Sequence, residues 1–203
     1  MTSPSVVSRR TQGISWRESS VGTYRTRCAV CVCQWIPRAG FPLVRGWYRQ
    51  VDLADNPVLY EKTITPEQFR AWLRSRAVRY VLLPMTTLDS EGAKAEAQLL
   101  RSGASGLRLV EIRGAWMIYE LPNPTPLLTG PGTARVLSQD HETLRATVSQ
   151  PGLYTLRVRW MPYWSLGGVA DCVAPGRAGQ TLVRTSSARS EEHTSELQSH
   201  VRI

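Results

Sequence analysis

Hydrophobic periodicity divides this chain into a patternless front, a middle of mixed helices and strands, and a back of strands alone. Residues 1–38 scatter Ser, Thr and Arg, and only 24–36 reads as a strand. From 41 to 51 the content is strand-like, and Asp55-Asn56-Pro57 signals a turn. Thr65-Pro66-Glu67 is a helix start: a hydroxyl N-cap, proline at the first helical position and an acid in the first turn. Phe69, Trp72, Leu73 and Arg76 then follow at three- and four-residue spacing, which predicts an amphipathic helix ending near 76. The run 78–83 is almost continuously apolar and is closed by Pro84, the pattern of a strand buried on both faces. A second helix is predicted over 91–101, with Ala93, Ala97 and Leu100 on one side and Gly103 just past its end. Strands at 107–111 and 115–121 flank an Arg113-Gly114 turn.

Pro122-Asn123-Pro124-Thr125-Pro126 excludes helix and marks a domain boundary. Beyond it the helical period vanishes. Short strands are predicted at 134–139, 143–149, 153–160, 171–174 and 181–185, with Pro151-Gly152 as a hairpin turn. Alternation is clearest over 153–160, where Tyr154, Leu156, Val158 and Trp160 share one face and Leu153, Thr155, Arg157 and Arg159 the other. The expected class is α+β: a small α/β layer over 39–122, then an antiparallel β-sandwich over 123–187. Residues 1–38 are expected to be irregular and 188–203 to be an artefactual or disordered tail.

Composition changes this picture little. The chain has 203 residues, is 42% hydrophobic and carries a net charge of +9. That charge raises nucleic acid or an anionic membrane as partners. The cations are nearly all Arg, with Lys only at Lys62 and Lys94, a bias that reports GC-rich codon usage before function. They are also spread out: +5 in residues 1–40, +5 over the 148 residues from 41 to 188, and −1 in the tail. The ordered part is mildly basic and holds no compact basic run, so no nucleic-acid partner is expected. No apolar run approaches the roughly 20 residues of a membrane-spanning helix, and the N-terminus lacks a signal-peptide core. As it stands, the chain reads as a soluble piece.

Few groups could carry catalysis. Cys28-x-x-Cys31-x-Cys33 is the sharpest cluster, but zinc needs a fourth ligand, and Cys172 is the only other cysteine. His141 sits in an acidic turn; His193 and His200 lie in the tail. Gly103-Ala104-Ser105-Gly106 lacks nucleophile-elbow spacing. Gly130-Pro131-Gly132-Thr133 lacks both the third glycine and the helix of a dinucleotide loop, and reads as a turn. The acids lie mostly at turns or helix ends and define no glycosidase pair. No metal, no cofactor and no enzymatic activity is therefore expected of this chain.

Two aromatic groups remain. Trp160, Tyr163 and Trp164 cluster where Pro162 forces the chain out of a strand, and aromatics at a sandwich rim can stack on the apolar face of a sugar ring. Their plainer use is to close the end of the core. Arg45, Trp47 and Arg49 could hold an anionic or sugar ligand; an ion pair from Arg45 or Arg49 to Asp52 or Asp55 is the plainer use.

A family resemblance runs through several motifs in order. They are Arg45-Gly46-Trp47-Tyr48-Arg49-Gln50-Val51-Asp52, Asn56-Pro57, Phe69-Arg70-Ala71-Trp72-Leu73, Val78-Arg79-Tyr80-Val81-Leu82-Leu83-Pro84, Trp116-Met117-Ile118-Tyr119-Glu120, Pro151-Gly152-Leu153-Tyr154 and Tyr163-Trp164. Over about residues 37–185 the chain resembles the C-terminal soluble part of polytopic bacterial membrane proteins. These are named glycosyltransferase-like or 6-pyruvoyl-tetrahydropterin synthase-related membrane proteins. The resemblance implies an extracytoplasmic, non-catalytic piece of a membrane protein. Its partners would be the parent's transmembrane region and a glycan or lipid-linked sugar. The transmembrane helices, and the membrane-proximal acid that such transferases use, have no counterpart here. The pterin-synthase name implies three zinc-binding histidines, which this chain cannot supply. Residues 189–200 (RSEEHTSELQSH) resemble a translated sequencing adapter. With the unfamiliar lead-in before residue 35, this implies a truncated, partly frame-shifted reading with a non-native start.

Overall fold

The structure is a computed structural model, and it describes residues 5–7, 43–45, 53–88, 93–139, 143–166, 172–187 and 195–199. The chain forms two compact units, Met1–Pro124 and Thr125–Ile203. The division falls inside the predicted proline-rich boundary. There Asn123 takes a left-handed φ of 51°, a conformation its short polar side chain tolerates better than most.

In the first unit, helix α1 (Pro66–Ser75) begins as its sequence predicts. The Thr65 hydroxyl accepts from the Gln68 amide at 3.2 Å, and the Gln68 side chain accepts from the Thr65 amide at 2.8 Å. This reciprocal capping box satisfies two amides that no helical carbonyl can reach. The helix buries Phe69, Trp72 and Leu73 on one stripe. It ends at Arg76 and reverses through Ala77 at φ 54°, bringing the Val78 amide back to the Leu73 carbonyl at 2.9 Å. Helix α2 (Lys94–Arg101) buries Glu96, Ala97 and Leu100, and left-handed Gly103 follows it.

Both helices share a core with one face of a four-stranded antiparallel sheet. Its order is β1 (Ser5–Val7), β2 (Tyr80–Pro84), β4 (Trp116–Glu120), β3 (Arg108–Arg113). Val81 pairs with Tyr119 and Leu83 with Met117, and this row faces the helices. Tyr80 and Leu82 stay half-exposed on the other face. The expectation that 78–83 is buried on both faces is thus corrected, since apolar residues on the second face of β2 mimicked a central strand. The patternless front also supplies an element: Ser5–Val7 pairs with Tyr80–Leu82. Of the strand expected over 41–51 only 43–45 are described, and 24–36 lies outside the described residues.

The second unit contains two four-stranded antiparallel sheets. One has the order β10 (Cys172–Pro175), β11 (Gln180–Thr185), β8 (Gly152–Arg159), β5 (Leu128–Thr129). The other has the order β6 (Ala134–Gln139), β7 (Thr143–Val148), β12 (Ser195–Ser199), β9 (Trp164–Leu166). Leu128, Tyr154, Leu156 and Val183 of the first sheet and Leu144, Ala146, Val148 and Leu166 of the second line one interior space of about 20 Å³. This is the sandwich core that the alternation in 153–160 requires. β5 and β9 were not foreseen, because two or three residues are too few to show a period. Nor was β12. Within the stretch expected to be an artefactual or disordered tail, Ser195–Gln198 pairs with β7 and Leu197–Ser199 with β9.

Tyr154 anchors this unit. It is fully buried, and its hydroxyl lies within hydrogen-bond reach of the Pro131 carbonyl and of the Gln150 carbonyl at 2.7 Å. The arrangement is similar in kind to the tyrosine corner of sandwich domains. Burial pushes the phenol pKa up and keeps it a hydrogen-bond donor. The ring lies against Gly130, where an added Cβ would sit 2.3 Å from Tyr154 Cδ1. Gly130→Ala is therefore expected to cost about 1–3 kcal/mol by overpacking. Tyr154→Phe should cost about 0.5–1.5 kcal/mol by removing the hydroxyl's hydrogen bonds to these carbonyls. Urea unfolding of the two variants checks both values.

Candidate functional site

The aromatic rim is built where the chain changes sheets. β8 ends at Arg159 in one sheet and β9 begins at Trp164 in the other, so residues 160–163 cross the end of the sandwich. The register of β8 with β11 slips between Gln180 and Thr181, a bulge of the kind that redirects side chains at sheet ends. The crossing is held by backbone. The Trp160 amide donates to the Gly179 carbonyl at 2.9 Å, and the Trp164 amide to the Met161 carbonyl at 3.2 Å. The Trp164 indole Nε1 donates to the Arg159 carbonyl at 3.1 Å, which orients its ring. Trp160 and Trp164 are half-buried, while Tyr163 is 57% exposed. Tyr163 thus stands in solvent, and its chain neighbours Trp160 and Trp164 are partly covered. Chemically this arrangement can offer aromatic faces to an apolar ligand surface.

The second predicted group does not form a comparable surface. Arg45 is only 7% exposed. Its guanidinium donates to Glu96 Oε1 at 2.7 Å and to the Tyr60 hydroxyl at 3.4 Å, and it lies 5.7 Å from the Tyr60 ring centroid. The anticipated carboxylate tie exists with a different acid. Asp52 lies outside the described residues, and the Asp55 carbonyl receives Arg76 at 2.8 Å. Trp47 and Arg49 lie outside the described residues, as do Cys28, Cys31, Cys33 and His141. Cys172 is exposed with a free thiol. Among the described residues no group of three or more His, Cys, Asp or Glu is gathered for a metal.

Two carboxylates were missed by sequence reasoning. Glu96 falls in the stripe of Ala93, Ala97 and Leu100, so its placement on the apolar side of α2 was a usable signal. Glu120 had no such signal. On β4 it receives Arg108 at 2.6 Å and Arg79 at 3.1 and 2.9 Å. Hydrogen bonds from Arg108 first, then Arg79, hold its pKa below the usual glutamate range. Its ionised form is therefore favoured by folding. That stabilisation is complete above the ordinary glutamate pKa of about 4.3 and fades as pH falls through the lower folded value.

Compared with family models, with curated proteins and with solved structures, the chain finds no match.

Two outcomes are expected from the carboxylates. Glu96→Ala leaves a buried guanidinium without this partner and should destabilise the first unit by about 3–5 kcal/mol, read by chemical denaturation. Glu120→Gln should flatten the loss of stability below about pH 4.3 relative to the parent, read by thermal melts across an acid series.

Proposed function

We propose that the chain is a non-catalytic, extracytoplasmic C-terminal part of a membrane glycosyltransferase-like protein. In this reading the rim formed by Trp160, Tyr163 and Trp164 positions a glycan or lipid-linked sugar. The observation that supports it is the exposed Tyr163 ring, at 57%, flanked in the chain by two half-buried indoles whose segment is fixed by backbone hydrogen bonds. A sugar's C–H faces can stack on such rings, and the ordering cost is reduced where the backbone of the segment and the Trp164 ring are already held. The described helices include none long and apolar enough to cross a membrane, so membrane attachment would come from the parent's transmembrane region.

A second reading, a structural rim that packs on that membrane region, draws on the half-burial of Trp160 and Trp164. The basic charge offers less. Among the described arginines, Arg45, Arg70, Arg79, Arg108 and Arg113 are each paired with a carboxylate, which leaves them poorly disposed toward phosphates.

Glycan-array binding of the full chain separates the two readings. Tyr163→Ala should keep the fold and weaken glycan binding about 2- to 12-fold, and the triple alanine variant should abolish it. Binding that survives the triple replacement overturns the ligand reading. So does the absence of binding by the parent chain, and a loss of stability in Trp160→Ala or Trp164→Ala would then favour the structural rim.

A further inference from the structure

The first unit ends in an edge strand with exposed aliphatic side chains. β3 ends the sheet order β1-β2-β4-β3, so among the described residues its hydrogen-bonded neighbour lies on one side only. Leu109 is 43% exposed, Val110 41% and Ile112 57%. Natural edge strands are guarded by charged side chains, above all Lys, by Pro or by bulges. This strand, Arg108-Leu109-Val110-Glu111-Ile112-Arg113, has charge at Arg108, Glu111 and Arg113 and one register slip, but it has neither Lys nor Pro and leaves three aliphatic side chains exposed.

Two features indicate what covers the edge. The first is that the strand has nearly the same pattern in both directions: arginine, aliphatic, two residues, aliphatic, arginine. Ordinarily residues three apart, such as Leu109 and Ile112, point to opposite faces. Here the register slips between Leu109 and Glu111, so Leu109 pairs with Tyr119 and Ile112 with Met117, both on the helix side of the sheet. A second β3 laid antiparallel about a two-fold axis normal to the sheet therefore sets each Leu109 beside the copy's Ile112 on one face. The second feature is charge. That register sets Arg108 across from the copy's Arg113, which would repel if both were bare. Arg113 has Glu111 at 3.0 Å, and Arg108 has Glu120 at 2.6 Å, a carboxylate it shares with Arg79. The charges at the strand ends are thus partly offset, and the edge can meet its own image.

We propose that β3 is the contact strand of a two-fold homodimer, pairing antiparallel with β3 of a second copy. The two sheets then join into one of eight strands, four from each copy. The closed two-fold leaves no β3 edge open for further growth. A foreign extended peptide would gain the same backbone hydrogen bonds, but nothing in its recognition calls for the two-way pattern or for partly offset end charges.

Sedimentation velocity of the full chain over a dilution series tests the proposal. The parent should show a monomer–dimer equilibrium. Ile112→Lys, a change at an exposed position, should weaken the dimer at least about tenfold, because it removes two aliphatic contacts at once. The double variant Leu109→Glu with Ile112→Lys should recover the dimer and make it salt-sensitive, since the predicted register pairs each new acid with a new base. A parent that stays monomeric at every concentration overturns the proposal, as does assembly that grows beyond two copies. A dimer unmoved by Ile112→Lys, or one that the double variant fails to restore, also overturns it.

Discussion

A carboxylate with no exposure to solvent must be matched, and in the first unit that requirement organises the chain. Glu96 lies on the inner stripe of α2, among Ala97 and Leu100, where an unpaired charge would be strongly unfavourable. Arg45 meets it at 2.7 Å, from 51 positions earlier in the chain. To deliver that guanidinium, residues 43–45 must run beside α2, and Tyr60 must close over the same charge. The pair stabilises the unit only relative to its own broken states; an apolar pair of the same shape could do as well. Its effect is to select one path for the chain before α1 out of many that would bury similar apolar area.

The second unit depends on a different constraint. Its core is made of short strands with few large side chains, and Tyr154 supplies the largest of those fully buried. The ring needs Gly130 beside it, since any side chain there would occupy the ring's place. The hydroxyl needs the two carbonyls at Pro131 and Gln150, which belong to turns entering β6 and β8. One residue thus joins packing to turn geometry. The same strand runs on to Arg159, and the register slip opposite Gln180 lies between Tyr154 in the core and the rim aromatics.

The proposed surfaces differ in how far they could be read in advance. The rim was legible because its residues are neighbours in the chain: a strand ending in Trp160, a proline, then Tyr163 and Trp164. What could not be read was which ring would be exposed, because that depends on the bulge opposite Gln180 and on where β9 joins the other sheet. Arg45 was legible as a residue seeking a carboxylate, but its partner was not. The edge at β3 was legible as a strand, yet its openness depends on its outer place in the sheet and on a register slip that brings Leu109 and Ile112 to one face.

Local patterns determined the elements of this protein. The capping signal at Thr65, the stripe on α1, the left-handed turn at Gly103, the Pro-Asn-Pro boundary and the alternation through Tyr154 each act within a few residues, and each is visible in the order of side chains. Tertiary structure decided the rest. It gave β2 one covered face instead of two, drew Ser5–Val7 and Ser195–Ser199 into sheets, and matched Glu96 with Arg45. The physical reason is separation along the chain. Strand pairing and buried-charge matching join residues tens of positions apart, and no local periodicity records which of several compatible partners will be brought into contact.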